Sequence, residues 1–196
     1  SVTVFALQQA AEIGLRQQII AGVVIVWAAR LGPFLFRRIQ KAGEDRRFRK
    51  IKLSTPRFLL TWTLQGTWVF LTAGAALAAI MTSNTAPLGT MFYVGAAMWV
   101  LGFAVEVIAD SQKSAFKADP ANENKFITTG IWARAQHPNY FGEILLWAGV
   151  AVMALPSLSG SAMIFLISPV FVAVLLTRIS GVPLLRQTAG ARWGGG

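Results

Sequence analysis

The chain has 196 residues, 55% of them hydrophobic and only 13% charged, and its formal net charge is +10. So apolar a composition excludes an ordinary soluble domain and points to a membrane protein. With no cysteine and a single histidine, disulfides, thiolate metal sites and a multi-histidine centre are excluded as well, and no metal is expected.

The chain opens at Ser1 without a methionine and closes on Gly194, Gly195 and Gly196, the pattern of a chain trimmed at both ends. No basic n-region and small-residue cleavage site marks a secretory leader. Residues 1–10 read as the tail of an earlier span. Five apolar runs then follow, at roughly 19–36, 58–82, 89–109, 138–155 and 161–178. Each is near the ~20 residues that a helix needs to cross a bilayer. Lipid offers the backbone no hydrogen-bond partners, so such runs must be helical. The expectation is all-α: a polytopic transmembrane helical bundle, one integral membrane domain over residues 1–196.

The linkers alternate in charge. Nine of the 18 basic residues fall in RRIQKAGEDRRFRKIKLSTPR (37–57), whereas SNTAPL (83–88) and PSLSG (156–160) carry no charge. Segment 110–137 has seven charged residues, and the tail after Arg178 is basic. All charged loops therefore fall on one side, which the positive-inside rule makes cytoplasmic. A basic loop between two spans meets anionic lipid, so the expected partners are membrane lipids and not nucleic acid.

In the first span, VWAARLGPFLFRR places Arg30 within snorkelling reach of the basic end; it either snorkels or holds a phosphate. In the second, LTWTLQGTW carries Gln65, which suits an interhelical hydrogen bond or a substrate contact. Trp62 and Trp68 fit an interfacial aromatic belt; Trp68 is also a candidate substrate contact beside Gln65. Gly66, Gly74, Gly95, Gly102 and Pro169 suit close packing or kinks inside the spans.

The third span ends in EVIADSQKSAFK (106–117). On a helix Glu106, Asp110, Lys113 and Lys117 form one stripe, two acids deeper and two bases shallower. That stripe is either a solvated helix end or a wall facing a ligand. A charge as deep as Glu106 usually faces a cavity. The polar loop ADPANENKFITTG (118–130) leads through GIWARAQHPNY into the fourth span. Pro138 suits a first helical position. Asn139, Glu143 and Trp147 share a face, and Glu143 needs a donor, which His137, Arg134 or a ligand amide would supply. His137 alone suits a helix cap, and Tyr140 and Trp132 alone suit an aromatic belt. Together they place acceptors for ribose or amide groups beside donors for phosphates: Arg30, Lys113, Lys117 and, at the end of the fifth span, Arg178. No G-x-G-x-x-G, Walker, H-E-x-x-H or G-x-S-x-G pattern occurs.

HPNYFGE followed by LLWAG, preceded by GIW and by D-S-Q-K-x-x-F-K, resembles the steroid 5-alpha-reductase-like membrane proteins, in particular their bacterial branch. Their superfamily also holds sterol reductases and isoprenylcysteine methyltransferases. LQGTWVF and SGVPLL…RWG extend the likeness over residues 19–194. The resemblance implies an NADPH-dependent reductase of the bacterial inner membrane, its active site facing the cytoplasm. The substrate would be the C=C bond of a lipid such as a 3-oxo-Δ4 steroid. It implies that Asp110 binds the coenzyme, that Lys117 and Arg30 lie toward its phosphates, and that Asn139 lies on its nicotinamide side. Glu106, Tyr140 and Glu143 fall on the same wall, with Tyr140 and Glu143 the candidates for catalysis. Two departures stand out. Gln136 replaces the arginine that usually precedes the His of the HP motif, with Arg134 two residues earlier. The acidic residue that usually meets the substrate lies on a helix upstream of residue 1, so further N-terminal span is expected. The alternative reading is a methyltransferase that uses S-adenosylmethionine on a prenylated or lipid substrate in the same pocket.

Overall fold

The structure is a computed structural model and describes residues 14–42, 54–84, 86–123 and 125–179. The central part of the basic loop, residues 43–53, lies outside the described residues, as do residues 1–13 and the SGVPLL…RWG tail.

Among the described residues every regular element is helical. The helices are α1 (Leu15–Ala42), α2 (Thr55–Thr72), α3 (Gly74–Met81), α4 (Thr90–Ala118), α5 (Pro138–Ala154) and α6 (Ser168–Val174). Tighter 3-10 turns cover Pro120–Asn122, Gly130–Ala133, Leu155–Ser157 and Gly160–Ile167, and a wider π turn covers Leu175–Ile179. Among the same residues four helical stretches are long and apolar enough to cross a membrane, and a fifth exists if α2 and α3 count as one span. The architecture is that of an integral membrane protein.

The second apolar run is not one straight helix. It breaks at Ala73, where α2 and α3 meet at 63°. The residue after the break is Gly74, and a Cβ there would lie 2.9 Å from Cδ1 of Phe165. The bend thus seats bare backbone on an aromatic ring of the fifth span, with Phe70 edge-on to the same ring at 6.0 Å. The fifth span itself is composite: a 3-10 stretch, then α6, then the π turn, together Gly160–Ile179.

The centre of the bundle is the α4–α5 pair. Gly95 and Gly102 are seven residues apart on α4, and Gly142 and Gly149 are seven apart on α5, so each pair lies on one stripe two turns long. A Cβ on Gly95 would stand 2.5 Å from the Gly149 carbonyl oxygen, and one on Gly102 would stand 2.6 Å from that of Gly142. Gly95 opposite Gly149 and Gly102 opposite Gly142 make the helices antiparallel and let their backbones touch. In lipid such contact replaces the hydrophobic drive that water would supply. α5 is the inner helix, buried through Leu146, Trp147, Val150 and Met153, whereas most of α1 lies nearer the surface. α1 packs on α3 and α5, α6 on α5, and α2 on α6 and α3. Outward faces carry Ile25, Leu60, Leu101, Phe141 and Ile164, all exposed, as a lipid-facing surface requires.

Because α4 rises from the 83–88 linker and α5 returns to the 156–160 linker, both uncharged linkers share one end. Segment 110–137 lies at the other. α1 runs between them, with Arg16 at the uncharged end and Arg30 toward the charged one.

Candidate functional site

Glu106 and Asp110 are one turn apart on α4 and face α1. Arg30 reaches both with the two arms of its fork. Its Nη1 donates to Oε1 of Glu106 and its Nη2 to Oδ2 of Asp110. The side chains are only 17%, 5% and 13% exposed for Arg30, Glu106 and Asp110, so water does little to screen them. The planar fork suits this double grip, which a lysine ammonium would not reproduce. The guanidinium also lies 5.3 Å from the ring centroid of Phe34, one turn further along α1.

The glycine stripe brings a third carboxylate to this pair. A Cβ on Gly142 would be 2.7 Å from the Glu106 backbone nitrogen. With only hydrogen there, α5 lies against α4 and carries the next residue, Glu143, alongside. The charged groups that act on Glu143 are Glu106, Asp110 and Arg30. Glu143 thus stands beside the two carboxylates that the guanidinium grips. Glu106 keeps a buried oxygen, Oε2, with no hydrogen-bond partner, although the residue is only 4% exposed.

The loop before α5 is clasped to the shallow end of α4. The Trp132 indole N–H donates to the Ala109 carbonyl at 3.1 Å, and the Ile131 N–H donates to Oε1 of Gln112 at 3.1 Å. Gly130, at φ 62°, turns the chain directly over the Gln112 amide. Lys113 Nζ stands 4.8 Å from the Trp132 ring centroid, a cation–π contact. The chain then enters α5 at His137, whose ring stacks on Tyr140 at 5.3 Å and 27°. Pro138 takes the first helical position.

The structure thus joins Arg30, Glu106, Asp110 and Glu143 in one cluster, with Lys113 one turn above Asp110. Asn139 and Tyr140 are half-buried in the first turn of α5, and Lys117, Arg134 and Arg178 are exposed at the charged end. Glu143 meets an acid-rich cluster, while His137 is engaged with Tyr140. Gln65 is exposed and Trp68 half-buried on α2, which packs on α6 and α3, away from the helices that form the ionic cluster.

Two polar residues that pattern reading passed over hold the opposite end. Arg16, 3% exposed, donates from Nη1 to the Met153 carbonyl at 2.6 Å, from Nε to that of Ala86 at 3.1 Å, and from Nη2 to that of Pro87. Gln17 Nε2 donates to the carbonyls of Thr82 at 2.7 Å and Ala79 at 3.2 Å. These carbonyls lie at the ends of α5 and α3, which lack helical donors, and in the uncharged linker before α4. The signal available was an Arg-Gln pair standing just before an apolar run, where a cation close to lipid needs acceptors.

The model of a family described as "Protein of unknown function (DUF1295)" matches residues 1–194. No curated protein and no solved structure matches the chain.

Proposed function

The chain belongs to the DUF1295 family, and from that premise we propose that it is an NADPH-dependent membrane reductase of the steroid 5-alpha-reductase-like kind. Its substrate would be an enone lipid such as a 3-oxo-Δ4 steroid, taken from the bilayer, with the coenzyme entering from the cytoplasm of a bacterial cell. The observation that carries this reading is the cluster of Arg30, Glu106, Asp110 and Glu143 at the charged end of the bundle. One oxygen of that cluster, Oε2 of Glu106, is buried without a partner.

The donor set fits a phosphorylated dinucleotide. Carboxylates inside the bundle accept from ribose hydroxyls and from an amide, whereas Lys113, Lys117, Arg134 and Arg178 supply cations toward the rim for phosphates. NADPH when bound supplies a hydride. Arg30 fixes the Glu106 and Asp110 carboxylates as acceptors of one orientation. Asn139 and Tyr140 stand where α5 begins, within the same wall. The apolar span below excludes water, so the electrostatic orientation of the site is not lost to solvent. The net change adds hydride at the β-carbon of the enone and a proton, drawn from water, at the α-carbon, with the carbonyl retained.

One observation favours the second reading. Two carboxylates grip one guanidinium and Glu143 adds a third acid beside them, an excess of acid that suits a cationic ligand such as S-adenosylmethionine. Heat-unfolding of the detergent-solubilised protein with each coenzyme separates the two. A rise in Tm with NADPH, and loss of its near-ultraviolet absorbance on adding androst-4-en-3-one, is the expected result. A rise with S-adenosylmethionine and none with NADPH would reject the reductase.

A further inference from the structure

The shallow part of α4 carries a strap. Ala109, Gln112 and Lys113 are spaced three and four residues apart, so they share one face, and the chain from Gly130 to Trp132 crosses it. Two hydrogen bonds hold the strap down. The Ile131 N–H donates to Oε1 of Gln112, and the Trp132 indole N–H donates to the Ala109 carbonyl, each at 3.1 Å. Ala109 is wholly buried, although it lies in the last third of α4.

An indole has one polar hydrogen. With that hydrogen bonded to Ala109, the ring cannot swing about its side-chain bonds without breaking the contact, so its face has a fixed direction. Lys113 Nζ lies over that face, 4.8 Å from the centroid. A lysine stem is long and flexible, and fixing it costs a ligand affinity. Trp132 lowers that cost in advance, because the negative face of the ring holds the ammonium in one place. An ammonium carries three N–H donors, and the ring takes up one side of it.

The level in the bilayer matters as well. Lys113 is half-buried one turn above Asp110, and Lys117 is exposed one turn further out. The ammonium is thus reached from the aqueous end, with no cavity inside the bundle required. Deeper on the same stripe stand the acids Asp110 and Glu106, which repel an anion. A polyanion arriving from water therefore halts at the level of Lys113.

We propose that Trp132 is a positioning residue for Lys113, and that the ammonium it holds is the seat of a phosphate group. That the phosphate belongs to a coenzyme rests on the reductase reading; the seat itself needs only the strap and the lysine.

The test measures binding of NADPH and of inorganic pyrophosphate to the detergent-solubilised protein by titration calorimetry. Lys113→Met should weaken binding about tenfold or more, the worth of a charged hydrogen bond. Trp132→Leu should weaken it about two- to fivefold, the worth of a cation–π contact. Combined with Lys113→Met, Trp132→Leu should cost no further affinity while still lowering Tm, a pattern that packing alone would not give. If Trp132→Leu does not fold, a fluorinated tryptophan at position 132 decides, since it keeps the shape and the N–H but weakens the ring's negative face. Unchanged affinity in Lys113→Met overturns the assignment. So does tighter binding in Trp132→Leu, which would mark a clamp that must open, or an equal loss with and without Lys113. If pyrophosphate does not bind, the NADPH series decides alone. Pyrophosphate held through the pair without any NADPH binding retains the seat and removes the coenzyme reading. NADPH bound equally by all the variants does the reverse, and a wild type that binds neither ligand overturns both.

Discussion

Gly102 and Gly142 face each other across the α4–α5 crossing, each with its missing Cβ aimed at the other's carbonyl oxygen, at 2.6 Å and 2.7 Å. This contact sets the distance between Glu106 and Glu143, because Gly142 also abuts the Glu106 backbone. Packing and site are one feature here.

Replacement at the crossing should therefore damage both. Gly102→Ala and Gly142→Ala force backbone against backbone, and a loss of roughly 1–3 kcal/mol is expected from overpacking. Gly66, with nothing within 4 Å of its Cβ position, is the control. Gly66→Ala should gain up to about 1 kcal/mol from helix propensity. Thermal unfolding in detergent compares the three, and equal effects at all of them would refute the tight crossing.

Arg30 answers two carboxylates at once, so Arg30→Ala leaves both buried without their cation. The expected cost is about 3–5 kcal/mol. Arg30→Lys should recover only part of it, since an ammonium does not present two parallel arms. Adding Glu106→Gln and Asp110→Asn to Arg30→Ala should restore much of the stability. Chemical denaturation of the four proteins reads this directly, and a triple variant no better than Arg30→Ala alone would contradict the cluster.

At the other end, Arg16 lies about 21 Å along α1 from Arg30. Arg16→Gln removes charged hydrogen bonds to three carbonyl groups, for a loss on the order of 3 kcal/mol. Because the partners are the end of α5 and the linker before α4, both remote from the cluster, NADPH affinity measured below the melting temperature should stay within about twofold. A large drop in affinity with little change in Tm would place Arg16 in the site and not in the frame.

The clasp before α5 offers a double-mutant cycle. Gly130→Ala meets two penalties: a positive φ, worth about 1–2 kcal/mol, and a Cβ placed 2.4 Å from Oε1 of Gln112. Gln112→Ala should remove the second penalty but not the first. The effects of the two substitutions on Tm should consequently be non-additive, and simple additivity would show that the amide does not sit beneath the turn.

Much of this was legible in the sequence, for a physical reason. Lipid enforces long apolar runs and helical backbone, so the helices fall on the five runs from 19–36 to 161–178. Acids four apart on a helix must share a face, which is why Glu106 and Asp110 could be paired in advance. Gly95 and Gly102 were visible as packing residues, but their partners Gly142 and Gly149 were not, since helix periodicity says nothing of which neighbour a stripe will meet. The break at Ala73 was equally hidden. Hydropathy is continuous through it, and only the seat of Gly74 on Phe165 explains the turn.

Taken alone, the chain determined its medium, its helices, its sidedness of charge and the polar rows that each helix carries, because those follow from local spacing and from solvation. Tertiary structure alone decided that Arg30, distant in sequence, grips Glu106 and Asp110, that Glu143 joins them, and that Trp132 bonds to Ala109 beside them. Such pairings depend on how closely helices approach and at what height, and those are properties of packed surfaces, not of any one segment.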